Sequence, residues 1–339
     1  MAINFGIVGC GHIAGRHARH IIDHPGSKLV TAFDIKPEKT EAFCKEYGIE
    51  PSNSLEELLA REDIDVVNIC TPNGRHHTDA IAVLESKKHA LVEKPMAIKK
   101  EYCEAMMNTL LQTDRRLFVV KQNRYNPPIV ALKNLMNDGK LGDIYSVLIN
   151  CHWNRNERYY ESSEWKGDKE LDGGTLFTQF SHFVDIFYFL FGDIEDDVSG
   201  FVKNSNHGDL IDFEDTGSFV FRFKSGTIGT FNYTTSCYEQ NMEGSITIFA
   251  ENATIKIGGK YLNVLDYQKT NGFDINDLPV SSPANNYGFY EGSMSNHDKT
   301  IHNIIETLNG NEMIKTNAME GMKVVEIIEK LYGAAKWIQ

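Results

Sequence analysis

The apolar positions in the first third of the chain fall into short runs separated by stretches of helical spacing. Residues 3–8, 28–34, 65–70, 89–92 and 117–121 are rich in β-branched and other apolar side chains and read as strands. The run at 65–70 is nearly unbroken, which suits a parallel strand buried on both faces. Helical spacing fills the gaps: to about residue 24, then 37–48, 76–86 and 98–113. Pro37 opens the second of these and Gly48 closes it, the usual asymmetry of a helix start and stop. Strand–helix alternation of this kind predicts an α/β Rossmann fold, a doubly wound parallel sheet.

The rhythm changes after residue 123. Helices are expected at 127–138 and 174–191, with a strand at 144–153 and a polar, aromatic loop over 154–172 between them. Six strands then follow, at 199–202, 216–223, 227–234, 245–250, 254–257 and 261–267, and two helices close the chain at 290–308 and 318–338. Phe219, Phe221 and Phe223 alternate with Ser218, Val220 and Arg222, so one sheet face is strongly apolar. The expectation is an α+β domain with a large, open, mostly antiparallel sheet. The division falls at a nucleotide-binding domain over 1–122 and a substrate-binding and oligomerisation domain over 123–339. An apolar sheet face needs a cover, and a second copy of the chain would supply it, giving a dimer or tetramer.

Composition narrows the classes of function. The formal net charge of -13 sets a field that repels phosphates, so neither nucleic acid nor an anionic membrane is an expected partner. No apolar run nears the roughly 18 residues of a membrane span, and the N-terminus has no basic stretch of a secretion signal, so a cytoplasmic protein is expected. The six cysteines are scattered, without a C-x-x-C pair, and read as reduced thiols.

Candidate chemistry begins at the first turn. Gly9-Cys10-Gly11-His12-Ile13-Ala14 matches G-x-G-x-x-A between a strand and a helix. The first glycine permits the tight turn, the second lets a pyrophosphate approach, and Ala14 lets helix and strand pack closely. Asp34 ends the second strand 23 residues after Gly11, near the spacing of about 20 at which a carboxylate accepts from a ribose hydroxyl. That carboxylate would repel a 2′-phosphate, so NAD is the expected cofactor. Gly9, Gly11, His12, Ile13 and Asp34 are its candidate contacts. Thr71-Pro72-Asn73, with His76 beyond it, and Glu93-Lys94-Pro95 both follow strands. Ligands of open α/β sheets bind at such strand ends, which adds Thr71, Asn73, His76, Glu93, Lys94 and Gln122 as cofactor contacts.

These three motifs, in this order, resemble the glucose–fructose oxidoreductase, inositol dehydrogenase and MocA family over essentially the whole chain. The resemblance implies that Lys94 is catalytic and reaches the substrate hydroxyl, with Pro95 commonly following a cis bond. Residues 173–185 resemble the family's G-G-x-L-x-D-x-G-x-H-x-x-D, so His182 matches the catalytic histidine, a side chain suited to proton transfer near neutral pH. Thr178 stands where the family has Asp, and Phe180 where it has Gly, so the usual Asp–His couple is incomplete. The runs at 121–128, 153–167 and 174–183 are similar to the branch of UDP-N-acetyl-2-amino-2-deoxyglucuronate dehydrogenases of bacterial surface-polysaccharide synthesis. That likeness implies substrate contacts from Lys94, Arg124, Tyr125, Asn154, Arg155, Tyr159, Thr178, Gln179 and His182. A nucleotide-sugar substrate carries a diphosphate and a carboxylate, and the cations for them would come from Lys121, Arg124, Arg155, Arg158, Lys166 and Lys169. No metal is expected, because no further ligand cluster accompanies His182 and Asp185. Another sugar or inositol dehydrogenase of the family, a glycosidase using transient oxidation, and a non-catalytic NAD-binding regulator stay open as alternatives. The regulator fits least, since Lys94 and His182 are both present.

Overall fold

The computed structural model describes residues 2–288 and 290–338. The chain begins β1 (Ile3–Val8), α1 (His12–Asp23), β2 (Ser27–Phe33), α2 (Pro37–Tyr47), β3 (Glu50–Pro51) and α3 (Leu55–Ala60). It continues β4 (Val66–Ile69), α4 (His76–Glu85), β5 (His89–Val92), α5 (Lys100–Leu111) and β6 (Leu117–Val119). Next come α6 (Pro127–Asn137), β7 (Ile144–His152), α7 (Glu157–Glu161), α8 (Thr175–Thr178) and α9 (Ser181–Phe191). Strands β8 (Ser199–Lys203), β9 (Thr216–Arg222), β10 (Ile228–Thr234), β11 (Glu243–Ala250), β12 (Ala253–Gly258) and β13 (Val264–Thr270) follow. The chain ends with β14 (Ala284–Asn286), β15 (Glu291–Met294), α10 (His297–Leu308), α11 (Ala318–Ala334) and β16 (Ala335–Trp337).

Two compact units result. The first holds residues 1–121 and 297–325, the second 122–296 and 326–339. In the first, six parallel strands run in the order β3-β2-β1-β4-β5-β6, the Rossmann arrangement. Ala14, Ala18 and Ile21 of α1 share one core with Phe5, Ile7, Leu91 and Phe118 of the sheet. Ile301, Ile304 and Ile305 of α10 join that core. Residues 297–325 therefore belong with the N-terminal unit rather than with the rest of 123–339, because the apolar stripe of α10 is buried there.

The second unit is built on an eight-stranded mixed sheet, β13-β12-β11-β7-β10-β9-β8-β16. Most neighbours are antiparallel; β10 with β7 and β16 with β8 are parallel. The Phe219 and Phe221 face is covered by the chain itself, not by a second copy. Phe187 of α9 lies 5.5–6.0 Å, ring to ring, from Phe221, Phe223 and Phe231. The opposite face carries Phe201, Val220 and Ile228, each about half exposed.

Several local expectations change, among them the last helix, which stops at Ala334 and gives way to β16. The helix expected over 174–191 is broken, since α8 stops at Thr178 and α9 starts at Ser181. Residues 291–294 form a strand with β14 instead of the first turn of a helix; Gly292, Ser293 and Ser295 are weak helix formers beside the apolar stripe that starts at α10. The loop over 154–172 contains α7, whose first turn is capped by Asn156 Oδ1 accepting from Tyr159 N at 3.1 Å.

Candidate active site

In the N-terminal unit the glycine loop has the geometry its sequence requires. Gly9 has φ +90°, and a Cβ there would fall 2.7 Å from the backbone of Cys70, so only glycine fits. A Cβ at Gly11 would meet nothing within 4 Å, so the backbone faces open space there. Gly11 caps α1 without a side-chain hydrogen bond, and the first turn holds no acidic residue, which leaves amide N–H groups for an anion. Asp34 Oδ2 accepts from Cys10 N at 2.8 Å and Oδ1 from Lys36 N at 2.9 Å. The carboxylate is held at the loop with lone pairs left for a hydroxyl. His12 is exposed, and Ile13 is half-buried. An NAD pyrophosphate and ribose fit this cradle; Gly9, Gly11 and Asp34 would hold them.

The strand-end motifs are braced from below. His76 is buried and bridges Pro95 O at 2.7 Å and Thr71 O at 2.9 Å, tying the two motifs together. Thr71 Oγ1 donates to Asp79 Oδ2 at 2.7 Å, and Asn73 is buried at the foot of α4. Glu93 is buried; its Oε1 takes a bond from His17 Nε2 at 2.7 Å and its Oε2 accepts from Lys94 N at 3.1 Å. Burial pushes the Glu93 carboxyl up, but the bonds and charges of His17 and His297 together outweigh it and hold the group well below the usual carboxylate range. His76 and Glu93 thus act as struts that fix the backbone around Lys94. Lys94 is half-buried, and its bond to Pro95 is cis.

Sequence reasoning missed His17 and His297, which gather around Glu93. The three donor atoms lie within 4.8 Å of one another, all buried. Ligands of one zinc ion sit about 3.3 Å apart when each bond is about 2.0 Å. The 2.7 Å contact of His17 with Glu93 is a hydrogen bond, so the geometry is that of a carboxylate clamp.

The C-terminal unit places His182 in the first turn of α9, almost fully buried. Its Nε2 is 3.2 Å from Ser293 Oγ, and Ser293 Oγ accepts from Gln122 Nε2 at 2.9 Å. Ser293 Oγ has a hydrogen free to donate to His182 Nε2 and a second lone pair with which it can accept from a protonated ring, so it can serve the histidine before and after proton uptake. Gln122, expected at the cofactor, belongs to this chain of bonds and to this unit. Ser293 carried no signal in the sequence. Arg124, expected on the sugar, grips Asp185 with two bonds of 2.8 and 2.7 Å, both side chains buried. Tyr125 is half-buried beside it in sequence. Thr178 Oγ1 donates to the Asp172 carboxylate, whose other oxygen accepts from Gly167 N at 2.9 Å. An acidic group therefore reaches position 178 from six residues upstream, although the motif lacks one there.

Three of the expected substrate residues meet. Gln179 Oε1 accepts from Arg155 Nε at 2.7 Å, and Gln179 Nε2 donates to Tyr159 Oη at 2.6 Å. Asn154 joins them through its backbone, its O accepting from Arg155 Nη1 at 2.6 Å and its N donating to Asn241 Oδ1 at 2.8 Å. Gly174, at φ +125°, lets Tyr332 come within 2.5 Å of where a Cβ would sit. Tyr332 Oη accepts from Leu176 N at 2.9 Å and donates to Glu214 Oε1 at 2.8 Å, which fixes the turn ahead of His182. No helix among the described residues is long and apolar enough to cross a membrane.

Residues 3–121 match the model of an oxidoreductase family with an NAD-binding Rossmann fold, and 129–256 that of the GFO/IDH/MocA C-terminal domain. The structure of the WlbA dehydrogenase from Bordetella pertussis, in complex with NADH and UDP-GlcNAcA, is 33% identical with a TM-score of 0.87, covering 98% of this chain and 96% of that one. The 2,7-anhydro-N-acetylneuraminate hydratase of Escherichia coli K12 is 27% identical over 91% of this chain and 78% of its own length. An uncharacterized oxidoreductase of Streptococcus pneumoniae serotype 4 is 28% identical over 64% of this chain, and the match spans only 58% of that protein. With its nucleotide cradle and histidine helix in place, the chain belongs to the Gfo/Idh/MocA family of oxidoreductases, with NAD as cofactor.

Proposed function

We propose that the protein oxidises the 3-hydroxyl of a UDP-N-acetyl-hexosaminuronic acid to a 3-keto sugar nucleotide, for bacterial surface-polysaccharide (lipopolysaccharide O-antigen) synthesis. The observation that carries this reading is a buried histidine hydrogen-bonded to Ser293, three residues from a Gln179 that grips Arg155. A three-residue step across the break between α8 and α9 thus joins a candidate proton acceptor to a buried cation, the pair that a sugar hydroxyl and an acidic substrate require. The likeness to a dehydrogenase solved with UDP-GlcNAcA supports the same substrate class.

In this mechanism NAD, when bound, supplies the acceptor for the hydride from C3. His182 takes the hydroxyl proton on Nε2, the Ser293 hydroxyl turning to accept from the protonated ring while Gln122 holds Ser293 in place. The Lys94 ammonium donates to the hydroxyl oxygen and stabilises its developing negative charge. Glu93, clamped by His17, holds the Lys94 backbone in position. Tyr159 and Gln179 line the sugar, and Asp34 takes the ribose hydroxyls. The protein works as a homo-oligomer in the cytoplasm, joined through the outer face of the second sheet.

The test is NADH absorbance together with thermal shift, using NAD with UDP-N-acetylglucosaminuronate, UDP-N-acetylglucosamine and myo-inositol. New NADH and stabilisation with the uronate are expected. Lys94→Ala should cut turnover by about a hundredfold or more while NAD still binds. Turnover with inositol alone, or Lys94→Ala at full rate, refutes the reading. The length of the hydratase match favours one second reading: substrate consumed with no net NADH would place the chain with that chemistry.

A further inference from the structure

Two cations of the C-terminal unit share one aromatic wall, and among the described residues neither forms an ion pair. Arg155 is 2% exposed. Its Nε donates to Gln179 Oε1, and its Nη1 to Asn154 O at 2.6 Å and Asn241 Oδ1 at 3.3 Å. All three acceptors are neutral, and Nη2 takes part in none of these bonds. The guanidinium lies 5.0, 5.1 and 5.3 Å from the rings of Trp153, Tyr159 and Tyr290. Lys166 uses the same wall, with Nζ 4.1 Å from the Tyr159 ring and 5.4 Å from that of Tyr290. Its bonds go to Ser162 Oγ at 2.9 Å and Tyr159 O at 3.5 Å, again neutral. Among the described residues no carboxylate forms an ion pair with either side chain.

Like charges in a low-dielectric pocket repel, and neutral acceptors with ring faces offset only part of the lost hydration. Burial, and after it the charge of Arg155, pulls the Lys166 ammonium down to about 8. Asp172, whose field opposes that, already spends its carboxylate on Gly167 N and Thr178 Oγ1. An anion between the two cations would turn their repulsion into two attractions.

We propose that Arg155 and Lys166 form the subsite for the carboxylate of a hexuronate, with Lys166 the residue that separates the uronate from its C6 alcohol. This rests on the sugar-nucleotide reading above. A carboxylate fits better than the diphosphate for two reasons. The Nη2 edge of Arg155 offers coplanar N–H groups between aromatic walls, a match for a planar anion. Gln179, which holds Arg155, precedes His182 by three residues, so the subsite is anchored beside the histidine that serves the sugar ring.

The experiment measures Kd by calorimetry on the NAD-loaded protein for UDP-N-acetylglucosaminuronate and UDP-N-acetylglucosamine, which differ only at C6. The native protein should prefer the uronate by about tenfold or more. Lys166→Met, at a half-buried position that tolerates an apolar chain, should bring the two Kd values to within about twofold, and Lys166→Arg should restore the preference. Equal weakening of both ligands would assign the cations to the shared diphosphate and overturn the proposal. An unchanged preference in Lys166→Met would make Lys166 a packing residue and also overturn it, while leaving the function intact. A native protein that binds and turns over neither ligand removes the function and the subsite together.

Discussion

Glu214 is a buried carboxyl between two tyrosine hydroxyls, Tyr332 at 2.8 Å and Tyr233 at 3.0 Å. Burial pushes it up to about 7, against the lowering effect of those hydroxyls. The folded protein therefore keeps a proton that the unfolded chain releases near the ordinary value of 4.5. Stability from this group is fully present below that value and is lost as pH rises through about 7, an effect of about 3 kcal/mol between the limits. Glu214→Gln keeps Oε1 as acceptor for both hydroxyls and removes the titration. Relative to the native protein, its melting temperature should rise progressively from about pH 5 to pH 8. Melting curves of the two proteins that run parallel across that range would refute the assignment. Because Tyr332 also holds Leu176 N, the same residue bears on the turn that leads to His182.

Helix α9 shows how one element serves two purposes. Its Phe187 side covers the phenylalanine face of the sheet, while its first turn presents His182. Asp185, one turn on, is tied to Arg124, whose guanidinium lies 4.7 Å from the Phe189 ring. Asp185→Asn would leave a buried guanidinium without its counter-charge, at a cost of about 3–5 kcal/mol. A fall in melting temperature of about 10 °C is expected for a unit of this size. An unchanged melting temperature would mean that Arg124 finds its main partner elsewhere, as an orienting role on the sugar demands. The break between α8 and α9 at Gln179 and Phe180 belongs to the same scale. It frees the Gln179 side chain to join Arg155 to Tyr159.

For the whole molecule, the unanswered surface is the outer face of the eight-stranded sheet. Phe201, Val220 and Ile228 are 53%, 51% and 54% exposed on neighbouring strands, an apolar patch that a lone chain leaves wet. The inner face has its own helix, so a second copy has only the outer face to cover. Light scattering should give a dimer or tetramer mass for the native protein, and Val220→Glu, at the centre of the patch, should lower it. A native monomer, or a variant of unchanged mass, would exclude this face. The net charge of -13 makes close approach of two copies salt-dependent, with assembly favoured as salt rises.

What the sequence determined by itself was what lies close together along the chain. The strand–helix alternation, the Gly9 turn with Asp34, the cap at Gly48 and the lysine after β5 are all local patterns, and spacing alone exposes them. Phenylalanine alternation likewise announced a buried sheet face, although not what would bury it. Tertiary structure alone decided the rest, because those partners are far apart in sequence and carry no pattern of their own. Glu93 meets His17 and His297 across the N-terminal core; His182 meets Ser293 on a strand that reads as helix; Arg124 meets Asp185 on α9. Asp172 reaches Thr178 only because the loop folds back through Gly167. In the sequence Arg155 and Lys166 are two of six cations expected around the substrate, with nothing to single them out as a pair. Burial against the same tyrosines, which no local spacing encodes, is what leaves them a pair in need of an anion.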